Sequence, residues 1–248
     1  MSTFKNQDFV NFLKTINLKK EIENKEALFN FTKDGVETFV ISPDKTVAIK
    51  ASIKGAFPEV GKVGLVNLSA VISYLEALGD QAKIAFVKNK LSISTKTTKI
   101  NVALQNPEYI VNNIESEKYE SIYSKTTGGI EVNLDKSCTD FLLKNYNIVS
   151  GNEISLKQDG KNILFSCKNS DKDTELECII GESKDKYEFE INLPKYFITV
   201  VETLSKFGEI KLLMAKEKQN CISLNYKNDD VNFNFIVSLV VKKEEVSE

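Results

Sequence analysis

The stretch Asn67-Leu68-Ser69-Ala70-Val71-Ile72-Ser73-Tyr74-Leu75-Glu76-Ala77-Leu78-Gly79 has a counterpart further along the chain. That counterpart reads Asn192-Leu193-Pro194-Lys195-Tyr196-Phe197-Ile198-Thr199-Val200-Val201-Glu202-Thr203-Leu204, followed by Gly208. Leu68, Val71, Ile72, Leu75 and Leu78 recur at helical spacing, as do Leu193, Phe197, Val200, Val201 and Leu204, so each stretch predicts a helix with one apolar face. Pro194 suits a helix first turn, and Gly79 and Gly208 suit helix ends. Alternating apolar and polar residues follow each helix, at 82–87, 91–94 and 99–104 in the first copy and 209–214, 222–226 and 231–237 in the second. Such alternation predicts strands with one buried face.

Upstream of each helix the pattern repeats again. Phe9, Phe12, Leu13 and Ile16 form one helical stripe, and Leu134, Cys138, Phe141 and Leu142 form another. Strand-like runs follow both, at 27–31, 38–41 and 46–52 and then at 153–156, 162–167, 175–180 and 187–191. Each half therefore reads helix, strands, helix, strands, which predicts an α+β fold of two similar domains. Each domain has antiparallel sheets with two helices on one face. The expected boundaries are 1–104 for the first domain and 128–243 for the second. Residues 105–127, rich in Asn, Glu, Ser and Lys, form an exposed linker, and 244–248 form an acidic tail.

Composition narrows the chemistry. The 248-residue chain contains no histidine and no arginine, so all 33 basic residues are lysine, and its net charge is −2. Without histidine the commonest general base and metal ligand is missing. Lysine meets phosphate as a point charge rather than in a bidentate fork, so a nucleic-acid binder built from it holds backbone and reads little sequence. An acidic chain attracts DNA only where lysines concentrate locally. Cys138, Cys167, Cys178 and Cys221 are widely spaced, which suits reduced, buried thiols. No apolar run is long enough for a membrane span and the first residues carry no secretion signal, so the expected location is the cytoplasm. Gly55 to Val63 glances at a phosphate-binding loop but has the wrong spacing, with Val63 where a metal-binding hydroxyl belongs. With no nucleophile–base pair and no carboxylate cluster, the chain is read as a non-enzyme that needs no cofactor and no metal.

The twice-given order of helices and strands with a crossover linker resembles the DNA sliding clamps of tailed phages and the related PCNA family. The resemblance also rests on Phe12-Leu13-Lys14 in the first helix and on the turn Ile41-Ser42-Pro43-Asp44-Lys45-Thr46-Val47. The closing stretch from Lys211-Leu212-Leu213-Met214-Ala215-Lys216 to Val240 carries it further. It implies a ring-forming homotrimer that encircles double-stranded DNA without sequence preference. It also implies tethering of a DNA polymerase and opening by an ATP-dependent clamp loader, in a host cytoplasm if phage-encoded. It puts the helices around the central hole, so that Lys5, Lys14, Lys19, Lys20, Lys136, Lys144, Lys195 and Lys206 would face DNA. Lysines on a polar helix face are equally what a solvated surface carries, and Asp8, Glu76, Asp135, Asp140 and Glu202 share these helices. The resemblance further implies a partner-peptide pocket at Ile41, Val47, Tyr109, Ile110 and Val111, with buried core as the other reading of Ile41 and Val47. Ring closure would join two edge strands, for which 99–104 and 175–180 are the candidates. A processivity factor of the same fold that does not close, or a non-catalytic phage structural protein, are the alternatives.

Overall fold

The computed structural model describes residues 6–18, 22–57, 60–183, 189–215 and 220–239. The chain divides into two compact units, Met1–Glu120 with Lys227–Phe235 and Ser121–Tyr226 with Ile236–Glu248.

The first unit opens with helix α1 (Asn6–Asn17), whose Phe9, Phe12, Leu13 and Ile16 are fully buried as the stripe predicts. Strands β1 (Glu26–Thr32), β2 (Gly35–Ile41), β3 (Val47–Lys54) and β4 (Gly61–Val66) follow. They pair antiparallel in the order β4-β1-β2-β3, with β15 (Val231–Ser238) beside β3. Alternation decides the faces: Ala27, Phe29 and Phe31 of β1 and Val36, Thr38 and Val40 of β2 point to the core, and their sequence neighbours point out. Helix α2 (Leu68–Leu78) is capped by the Asn67 side chain and stopped by Gly79 at φ 63°, a conformation that glycine adopts without cost. It packs against α1. Strands β5 (Lys83–Val87), β6 (Lys90–Ser94) and β7 (Lys99–Ala103) then make a separate antiparallel sheet in that order.

Two segments depart from expectation. Strand β4, which takes in Gly61 to Val63 of the stretch already rejected as a phosphate loop, is not among the expected strands. Gly64 lies within this strand because an added Cβ there would sit 2.7 Å from the Gln105 carbonyl and 2.8 Å from Ile110. The stretch expected as an exposed linker carries a helix, α3 (Ser116–Tyr123), and the division between the units falls inside it. Tyr119 of α3 is fully buried and donates its hydroxyl to the Asn234 carbonyl at 2.7 Å and to Asn234 Oδ1 at 3.0 Å.

The second unit begins with β8 (Ile130–Leu134) and α4 (Lys136–Val149), whose N-terminus is capped by the Asp135 carboxylate bonding the Cys138 N–H. Strands β9 (Glu153–Asp159), β10 (Asn162–Asn169), β11 (Thr174–Glu182) and β12 (Glu190–Leu193) form an antiparallel sheet in the order β11-β10-β9-β12. Helix α5 (Tyr196–Leu204) buries Phe197, Val200, Val201 and Leu204. Strands β13 (Ile210–Met214) and β14 (Cys221–Lys227) complete the order β14-β13-β8. The second expected helix stripe is only partly right. Leu134 closes β8, α4 buries Leu142 with Thr139 and Val149, and Phe141 is 49% exposed. The acidic tail 244–248 lies outside the described residues.

Tyr119→Phe removes a buried hydroxyl and leaves its acceptors unmatched, so unfolding free energy should fall by about 1–3 kcal/mol. Urea denaturation of the two proteins measures this, and unchanged stability would show that the hydroxyl anchors nothing.

Candidate functional site

Three surfaces can carry function: the polar helix faces, the groove beside α3, and the free sheet edges. On the helices, every described lysine of the predicted set is exposed. Lys14 projects from α1 and meets Glu76 of α2 at 2.5 Å, both half exposed. Lys136 and Asp140 are 3.5 Å apart one turn along α4, and Lys144 follows on the same helix. Lys195 precedes α5 and Lys206 follows it, both exposed. Lys5, Lys19 and Lys20 lie outside the described residues. Exposed pairs such as these contribute little to stability, because water screens them and two flexible side chains must be ordered. The first unit's pair of helices is thus nearly neutral at its described surface, since α2 carries no lysine.

The five predicted pocket residues do not share one environment. Val47 is fully buried, with its N–H bonded to Ser42 Oγ at 3.0 Å, and Ile110 is buried against Gly64; both serve the core. Ile41 is half-buried and donates its N–H to the Asn112 carbonyl at 3.3 Å. Tyr109 and Val111 are 65% and 80% exposed, and the Val111 N–H bonds Glu26 Oε1 at 2.8 Å. Next to them an open groove runs between the outer face of the β1–β3 sheet and α3. Phe39, Ile114 and Lys50 form its floor and wall, and Glu37, Glu117 and Glu120 make it acidic. Lys50 reaches Glu120 Oε1 at 2.6 Å and lies 5.4 Å from the centre of the Phe39 ring. The groove has no signature in the sequence, where residues 105–127 read as an exposed linker. The turn after β2 is ordered by Asp44, which accepts from Ser42 Oγ at 2.6 Å and Thr46 Oγ1 at 2.7 Å. Burial raises the Asp44 pKa, but these hydrogen bonds outweigh it and hold the carboxyl below its ordinary value.

Both predicted edge strands are edges. β7 ends the three-stranded sheet and β11 ends the four-stranded one.

All four cysteines are free thiols, and burial pushes each one's pKa up. Cys138 is pushed up to about 11 by burial and then by neighbouring Cys178 and Asp135. A thiol so shifted is a poor nucleophile at neutral pH. Among the described residues no group of three Cys, Asp or Glu side chains is placed to hold a metal ion, and no helix is long and apolar enough to cross a membrane.

Comparison with solved structures identifies the architecture. PCNA of A. fulgidus, bound there to the C-terminal region of FEN-1, superposes with a TM-score of 0.72 over 97% of this chain and 98% of that one. The fold is that of the PCNA sliding clamps. PCNA of Thermococcus kodakaraensis matches with a TM-score of 0.71 over 97% of this chain and 99% of that one, and PCNA of Entamoeba histolytica with 0.70 over 97% and 100%. Sequence identity to the three is 10%, 13% and 12%, so the likeness to PCNA is one of fold. No protein-family profile and no curated protein matches the chain.

With its pKa near 11, the Cys138 thiol should alkylate at pH 8 at least roughly tenfold more slowly in the folded protein than in urea, and speed up as pH approaches 11. Iodoacetamide labelling read by peptide mass spectrometry tests this; equal rates in both states would refute it.

Proposed function

We propose that this protein is a DNA sliding clamp that works as a closed homotrimer around double-stranded DNA and tethers a DNA polymerase. The observation that carries the reading is the likeness in fold to PCNA over 97% of the chain, both domains included. Two of the strands that end their sheets, β7 and β11, supply the means of joining copies head to tail, a use of edges that otherwise invite aggregation. Lys14, Lys136, Lys144, Lys195 and Lys206, with Lys5, Lys19 and Lys20, provide many weak attractions to phosphate. Contacts of that kind hold a duplex without pinning it to one sequence. Affinity then comes from topology and mobility from contacts that ignore bases.

The partner segment of the polymerase docks at the linker, which carries exposed Tyr109 and Val111 and, from Asn113 on, lines the acidic groove beside α3. A closed ring needs opening before it can encircle DNA, which calls for an ATP-dependent clamp loader. The features shared with phage clamps support a phage-encoded member acting in the host cytoplasm.

Light scattering of the purified protein across a concentration series tests the ring. A species of three chains is expected. A monomer at every concentration would overturn the proposal.

A further inference from the structure

A second surface of the first unit combines apolar lining with uncompensated positive charge, around the turn between β5 and β6. From Gln81 to Pro107 the chain carries Lys83, Lys88, Lys90, Lys96 and Lys99 and no carboxylate, with Asp80 and Glu108 the flanking acids. Two clefts flank the turn, and Lys88 and Asn89 line both. One, of about 390 Å³, is walled by Val60, Val63, Phe86, Leu104 and Pro107, with exposed Lys62 and Lys88 beside them. The other lies on the face of the β5–β7 sheet that carries Val87, Lys90, Lys99 and Asn101. Neither lining includes a carboxylate among the described residues, and Glu59, beside Val60, lies outside them.

These lysines are unengaged. Lys14, Lys50, Lys157 and Lys211 each meet a glutamate, but no described carboxylate lies within ion-pairing distance of Lys62, Lys88, Lys90 or Lys99. The apolar cleft is held from behind. The Phe86 ring centre lies 4.7 Å from that of buried Phe31. The Leu104 N–H bonds the Asn89 carbonyl at 2.9 Å, and the Gln105 N–H bonds the Gly64 carbonyl at 2.9 Å. A socket formed in advance spares a ligand the cost of ordering it.

Lysines around an apolar socket fit a ligand that is both anionic and apolar. Nucleic acid matches poorly. Phe86 is the one aromatic residue in the two linings, and its ring is half-buried against Phe31, so no exposed platform stacks bases. A phosphate backbone would also leave the socket empty. We propose that this surface docks an acidic segment of a partner protein. One large apolar side chain of that segment fills the socket, and its carboxylates meet Lys62, Lys88, Lys90 and Lys99. The sign is opposite to that of the acidic groove beside α3, which Lys62 also lines, so the two surfaces select different segments. Exposed charges of this kind set encounter rate and partner choice, and salt screens them. The inference needs neither a trimer nor DNA, so it stands or falls apart from the ring.

The test is fluorescence anisotropy of a short labelled peptide, all aspartate and glutamate but for one central phenylalanine, titrated with the full-length protein. The same peptide with glycine for phenylalanine and a thymidine oligonucleotide of similar length are compared with it. The phenylalanine peptide should bind at low salt and less at high salt, and the glycine peptide roughly tenfold more weakly, since a buried aromatic ring is lost. Lys88→Glu/Lys90→Glu should weaken peptide binding by roughly tenfold or more, and Lys88→Gln/Lys90→Gln by less, with folding checked by circular dichroism. Lys161→Glu/Lys172→Glu, the same charge change on two turns of the second unit, should leave it unchanged. No binding of the phenylalanine peptide, equal affinity for the glycine peptide, or equal loss in both charge-reversed variants overturns the proposal. If the oligonucleotide binds and Lys88→Glu/Lys90→Glu abolishes that binding but not the peptide's, the surface belongs to nucleic acid and the proposal fails.

Discussion

Phe12 sits at the centre of a chain of aromatic contacts on which the first unit depends. Its ring centre lies 6.1 Å from Phe9, 6.4 Å from Phe29 and 6.0 Å from Phe233. Through Phe9 and Phe31 the cluster reaches Phe57, and the Phe31 ring meets Phe86 of β5 at 4.7 Å. Burying one such ring contributes about 1.5–3 kcal/mol, and offset or edge contacts add roughly 0.5–1.5 kcal/mol per pair. The contact with Phe233 has a topological consequence. It draws residues 227–235, from near the far end of the chain, into the first unit. A repeat laid out strictly in sequence order would have left them in the second.

The consequence for function is a division of labour among surfaces. Helices with a single apolar stripe must bury it on the sheets, which leaves their polar faces free. β7 and β11 each end a sheet, with Lys99 on the first and Glu175, Glu177 and Glu182 on the second. The linker, ordered by the buried Tyr119, adds an acidic groove.

Much of this was legible because periodicity reports burial directly. The stripes of α1, α2 and α5 and the alternation in β1, β2, β3, β10 and β11 were read close to their observed bounds. The readings failed where a residue's partner is remote in sequence. The apolar content of residues 105–127 is too sparse to mark α3, because one residue, Tyr119, does the anchoring and its acceptor is Asn234. Phe141 fits a helical stripe by spacing and yet faces outward. β4 was hidden by its glycines, and the need for Gly64 comes from the close approach of Gln105 and Ile110. The charge of the β5–β7 segment is countable in the sequence, but its lysines become one face only through strand register.

By itself the sequence determined the duplication, the α+β class, the lysine-only basic set and the lack of histidine chemistry, all properties of local pattern and composition. Tertiary structure alone decided which apolar residues are core and which are surface, as Val47 and Ile110 against Tyr109 and Val111 show. It also placed residues 227–235 with the first unit and made β7 and β11 the terminal strands. The physical reason is the same in each case: local spacing sets which side of an element is apolar, but burial depends on what another part of the chain brings against it.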